Sequence, residues 1–72
     1  MTFHISARNQ LKGVVKSVKL AEVMAEVVIE LSNGEQITSA ITRSSVEAMN
    51  LRQGDQVVAI IKATEVMVGK DA

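Results

Sequence analysis

Seventy-two residues, 47% of them hydrophobic but only one aromatic, describe one small domain, spanning residues 1–72, whose core must be thin. Eight Lys plus Arg balance eight Asp plus Glu, and the formal net charge of +0 removes the broad positive field that holds a nucleic-acid backbone. With no cysteine and one histidine, the chain lacks disulfides, a thiolate metal site and the usual clusters for zinc or Ser-His-Asp chemistry, so most enzyme readings lose their parts.

The longest apolar run, Val57 to Ile61, is too short to cross a bilayer, and Met1 to Ser6 has no basic segment leading into an apolar one. A cytoplasmic protein without a membrane partner is the expectation. Domains of this size usually draw extra stability from disulfides, metal or association, and association is the option left.

Met1 to Ile5 is a short lead-in holding Phe3 and His4, and neither has an assigned role. Ser6-Ala7-Arg8-Asn9 then gathers a hydroxyl, a guanidinium fork and an amide without an acidic side chain, a composition that suits an anion. The same residues also fit a plainer role, with Ser6 and Asn9 serving backbone groups at a strand start and Arg8 on the surface.

From Gln10 to Leu20, β-branched residues alternate with Lys12, Lys16 and Lys19, which predicts a strand with one wet face. Gly13 interrupts the pattern and predicts a bulge or a sharp bend. Met24 to Leu31 alternates cleanly, with Ala25, Val27, Ile29 and Leu31 on one side. Glu35 to Thr42 follows, with Ile37, Ser39 and Ile41 on one face.

Between these two runs lies Ser32-Asn33-Gly34. A two-residue Asn-Gly turn would set Ile29 beside Thr38 and mix apolar with polar on each face. A three-residue loop instead sets Leu31 against Glu35, Ile29 against Ile37 and Ala25 against Ile41, with Gly34 in the left-handed position, and this is the register the burial pattern selects.

Ser44 and Glu47 have capping-box spacing, and Val46 and Met49 begin a helical period, which predicts a short helix ended by Asn50 or Gly54. Gln56 to Lys62 is apolar on both faces, and in so short a chain one face is best covered by another subunit. Val66-Met67-Val68 reads as a fifth short strand before a frayed end. Met24, Met49 and Met67 fit core or interface gaps better than a copper site. The order predicts an all-β domain, a five-stranded OB-like Greek-key barrel with one short helix between strands 3 and 4.

Four segments, Ser-Ala-Arg-Asn-Gln-Leu-Lys-Gly at Ser6 to Gly13, Ala-Glu-Val-Val at Ala25 to Val28, Ile-Thr-Ser-Ala-Ile-Thr at Ile37 to Thr42 and Ile-Lys-Ala-Thr-Glu-Val-Met at Ile61 to Met67, resemble the molbindins. These are Mop-type domains related to the oxyanion-binding TOBE domains. The resemblance implies an OB-like domain that assembles as a homo-oligomer, typically a hexamer built as a trimer of dimers. It also implies molybdate or tungstate held at subunit interfaces for storage and homeostasis, with no catalysis, no organic cofactor and no direct protein-metal coordination.

Carried onto this chain, it places oxyanion contacts at Ser6, Ala7, Arg8, Asn9, Thr42, Ser45, Lys62 and Ala63, with Ser39 and Thr64 as further candidates. The residues' own chemistry agrees. Ser44 as a cap leaves Ser45 in the first helical turn, where backbone N–H groups face outward, and Lys62 at the end of a two-sided apolar strand gains a partner from a bound dianion. A tetrahedral ion that stays unprotonated near neutral pH asks only for donors, whereas partly protonated phosphate also asks for an acceptor.

Two other classes fit less well. A molybdate-sensing regulatory domain acts through a protein partner, for which the sequence offers no fused part. A nucleic-acid-binding OB fold needs stacking aromatics and a basic groove, and Phe3 is the only aromatic.

Overall fold

The computed structural model describes residues 4–71. In chain order these form β1 (Asn9–Leu20), β2 (Met24–Leu31), β3 (Gln36–Thr42), α1 (Arg43–Met49), β4 (Gln56–Ile61) and a 3-10 turn (Ala63–Glu65). The strands make one antiparallel sheet in the order β3-β2-β1-β4.

β1 shapes everything else because it serves two neighbours. Its first half, Asn9 to Val14, pairs with β4, and its second part, Gly13 to Leu20, pairs with β2. Gly13 and Val14 belong to both ladders and mark the place where β1 passes from one partner to the other. A Cβ on Gly13 would lie 2.6 Å from Ile29 Cγ2 and 2.7 Å from the Glu30 carbonyl oxygen, which leaves room for glycine alone at the fold.

The bulge that Gly13 suggested sits three residues later. Val15 pairs with Ile29 and Ser17 with Val28, leaving Lys16 as the extra residue. The insertion reverses which side chains face inward, so Val15 and Val18 both turn toward the core while Lys16 swings out to an ion pair with Glu30 at 3.4 Å.

The β2–β3 hairpin has the expected three-residue register. Ala25 faces Ile41 and Ile29 faces Ile37, the Leu31 N–H donates to the Glu35 carbonyl, and Gly34 has φ 88°. Asn33 braces the loop through both ends of its side chain, accepting from the Glu35 N–H at 3.0 Å and donating to the Glu35 carboxylate.

The helix starts earlier than its sequence suggests. Thr42, not Ser44, is the cap, with its Oγ1 accepting the Ser45 N–H at 3.1 Å, and Glu47 pairs with Arg43 at 3.3 Å instead of reaching back to Ser44. The Arg43 N–H donates to the Val23 carbonyl, which ties the helix start to the β1–β2 turn. Asn50 closes the helix in the left-handed conformation, φ 51°, and the Leu51 N–H returns to the Val46 carbonyl.

The core is small-residue aliphatic: Val15, Ala25, Val27, Ile29 and Ala59 from the sheet, with Val46 of α1 set against them. The described residues form four strands, not five. Val66 to Val68 makes no ladder because the chain turns first, with the Glu65 N–H on the Lys62 carbonyl and the Val66 N–H on the Ala63 carbonyl. Met24, Met49 and Met67 are exposed, so none of them fills the core of the single chain.

Gly13→Ala is expected to lower stability by about 1–3 kcal/mol through overpacking, while Gly69→Ala, with open space around it, stays within about 0.5 kcal/mol of the parent. Urea unfolding midpoints measure both. Thr42→Ala is expected to cost about 1 kcal/mol as a lost cap and Ser44→Ala less than about half of that. A larger loss at Ser44 in the same assay would return the cap to the capping-box position.

Candidate oxyanion-binding site

Pairing of Asn9 with Ile61 lays the lead-in to β1 alongside the exit of β4. Two segments far apart in sequence thus meet in an open pocket lined by Ile5, Ser6, Ala7, Arg8, Ile60, Lys62, Ala63 and Thr64. Five of the eight residues that the resemblance marked most strongly, Ser6, Ala7, Arg8, Lys62 and Ala63, line it, together with Thr64. The lining contains two cationic side chains, two hydroxyls and no carboxylate. It is therefore rich in donors, with Ile5 and Ile60 as apolar walls.

Asn9 lies at the seam and directs part of its donor capacity inward. Its Nδ2 donates to the Ile61 carbonyl at 3.3 Å, so one amide hydrogen clamps the two segments and the other is left over. Gln10, to which the sequence pattern gave no role, donates from Nε2 to the Ala7 carbonyl at 2.9 Å and holds the bend of Ser6 to Arg8. A side chain three residues after a non-strand carbonyl was the available signal.

Thr42 and Ser45 form a second cluster at the helix start. Thr42 Oγ1 lies 2.7 Å from Ser45 Oγ and 3.2 Å from Ser44 Oγ, so both serine hydroxyls gather on the threonine. The Ser45 N–H, which the sequence offered to an anion, is occupied by the Thr42 cap. What the cluster presents is hydroxyl protons. Arg43 beside it reaches the Ala21 carbonyl at 3.4 Å and Glu47, so its guanidinium anchors the β1–β2 turn. Ser39 joins neither group, being half-buried opposite Val27 in the β2–β3 ladder.

The two clusters sit at opposite ends of β1. The pocket is at the Asn9 end, and Thr42 pairs with Met24, beside the contact of Leu20 with Ala25 at the other end. Twelve residues of strand lie between them along β1, and no residue of β3 or α1 lines the pocket. Among the described residues, no group of three or more His, Cys, Asp or Glu could hold a bare metal ion, and no helix is long and apolar enough to cross a membrane.

Comparison with known proteins gives the family. The TOBE domain family matches residues 5–68. Molybdenum-pterin-binding protein 3 of Clostridium pasteurianum is 48% identical over 64 residues, covering 89% of this chain and 94% of that protein. A molybdate-binding protein from Sporomusa ovata superposes with a TM-score of 0.89 at 41% identity, covering 94% of this chain and all of the other. The cytoplasmic molybdate-binding protein ModG, solved with molybdate bound, superposes with a TM-score of 0.82 at 41% identity, covering 85% of this chain and 43% of the longer one. The curled four-stranded sheet, its single short helix and these relatives together place the chain in the TOBE-domain family, among the Mop-type molbindins.

Proposed function

We propose that the 72-residue chain acts as one domain that binds and stores molybdate, and with it tungstate, in the cytoplasm, at sites completed between subunits of a homo-oligomer. The observation that carries this reading is the carboxylate-free pocket where Ser6, Arg8, Lys62 and Thr64 meet. A dianion with no proton to donate can take a donor from every one of these groups, whereas the O–H of hydrogen phosphate must use one of the hydroxyls as its acceptor. The oxyanion itself is the cargo, and the proposal needs neither an organic cofactor nor a catalytic step.

Assembly enters for a physical reason. The Thr42–Ser45 hydroxyls belong to the same proposed cage as the pocket, yet they lie at the far end of β1. In this reading a second copy brings its helix start to the first copy's pocket, which Thr42 and Ser45 of the same chain do not line. The exposed apolar residues Ile5, Leu11, Val14 and Ile60, around and beyond the pocket, supply surface for such contacts. We take a hexamer, a trimer of dimers with OB-like five-stranded barrels, as the assembly. The Sporomusa ovata protein and ModG, both named for molybdate binding, support the ligand, and ModG, a cytoplasmic protein, supports the compartment.

Equilibrium dialysis against molybdate, tungstate, sulfate and phosphate tests the ligand. Molybdate and tungstate are expected to be retained and phosphate to be lost; phosphate held as tightly as molybdate would sink the donor-only cage. Arg8→Ala and Lys62→Ala each remove a charge-assisted contact of about 1.5–3 kcal/mol, so each is expected to weaken molybdate binding by roughly 10- to 100-fold with an unchanged circular dichroism spectrum. Native mass spectrometry is expected to give an oligomer whose mass rises on molybdate addition, and a monomer indifferent to the anion would contradict the shared site.

A further inference from the structure

The direction of the carbonyl oxygens around the pocket matters as much to an anion as the donors do. The Lys62 carbonyl accepts the Glu65 N–H at 2.9 Å and the Ala63 carbonyl accepts the Val66 N–H at 3.3 Å, both from the backbone of the 3-10 turn. The Ala7 carbonyl accepts from Gln10 Nε2 at 2.9 Å, and it alone of these three lining residues depends on a side chain.

Gln10 is anchored for that task. Its backbone is fixed in the ladder opposite Ile60, its side chain is exposed, and it does not line the pocket. The bond therefore holds the Ala7 oxygen toward a residue outside the site, although Ala7 and Arg8 both belong to the lining. A trans peptide is planar, with its N–H on the edge opposite its carbonyl, so the same bond sets the direction of the Arg8 N–H. That N–H has no acceptor among the described residues.

If this peptide turned over, the pocket would meet an anion with the negative end of the dipole in place of the positive one. An ion without a proton would be repelled, whereas the O–H of hydrogen phosphate would gain an acceptor. The Gln10 bond thus acts on the two kinds of anion with opposite sign. Sulfate, tetrahedral and doubly charged but carrying no proton, separates this effect from a general loss of shape.

We propose that Gln10 is a specificity-determining residue: by holding the Ala7 carbonyl out of the pocket and leaving the Arg8 N–H to the ligand, it favours fully deprotonated oxyanions over hydrogen phosphate. It rests on the proposed anion site and acts there through Ala7 and Arg8, without touching the ion.

The test is competition dialysis at neutral pH, in which protein loaded with sodium molybdate is challenged with sodium phosphate or sodium sulfate. Wild type is compared with Gln10→Met, which keeps the length of the side chain and removes its donor; the site is exposed, so the variant is expected to keep the wild-type circular dichroism spectrum. Molybdate binding is expected to weaken roughly 3- to 10-fold, the loss of one neutral hydrogen bond. The preference for molybdate over phosphate is expected to fall by at least that factor, while the preference for molybdate over sulfate stays as in the wild type. Parallel weakening of all three anions, or no change in any, would overturn the role of Gln10 and leave the anion site standing. A wild-type chain that retains no molybdate overturns the site and the role together.

A second measurement needs no variant. In ¹⁵N-labelled wild-type protein, the Arg8 amide proton is expected to move downfield and to exchange more slowly with solvent once molybdate is bound. An Arg8 amide that does not respond in protein shown by dialysis to be loaded would overturn the assigned direction of the peptide.

Discussion

The constraint on which this structure turns is that β1 must pair with β2 and β4 at once. The two ladders overlap only at Gly13 and Val14, and the point where they meet leaves no space for a side chain at Gly13. From that follow the enclosed core of Val15, Val27 and Ile29, the place of α1 over it, and the close approach of residues before β1 to residues after β4. The candidate site is a by-product of the curl: Ser6 to Arg8 and Lys62 to Thr64 are neighbours because Asn9 and Ile61 are paired.

The chemistry of the pocket is set by what it leaves out. The chain holds as many acidic as basic side chains, yet none of the acidic ones lines the pocket. Arg8 and Lys62 line a common space without a carboxylate among them, so the pocket offers an anion two positive charges and no opposing negative one. Hydroxyls and cations bind any tetrahedral dianion, and choice among dianions of equal charge falls to the dimensions of the completed cage.

Much of the fold could be read from patterning. The bounds of β2 and the three-residue β2–β3 loop followed from asking which register gathers Ala25, Ile29, Ile37 and Ile41 on one face, a question with one answer. The Lys16 bulge was harder to read, because Gly13 supplied a more conspicuous irregularity nearby and a bulge at a lysine has no compositional mark. The cap was misplaced by two residues because Thr42 and Ser44 are both good caps, and only the tie of Arg43 to Val23 decides between them. Val66 to Val68 has strand composition and no strand, since pairing depends on an edge that its own chain does not bring to it. Half of the candidate site was legible as a run of donors at Ser6 to Asn9; its union with Lys62 required the topology, and Gln10's support of the Ala7 carbonyl required the coordinates.

The hydroxyls of Ser44 and Ser45, both gathered on that of Thr42, have one more implication. An oxygen that accepts the helix cap still carries its own proton, and that proton turns about a C–O bond. The serine hydroxyls can point their hydrogens at Thr42 Oγ1, and in the proposed site they can turn them outward to an anion with every heavy atom fixed. Carboxamides and guanidinium groups must swing whole planes to do the same. Filling and emptying the proposed site at this end thus calls for no more than the turning of hydrogens, and the scaffold behind it stays still.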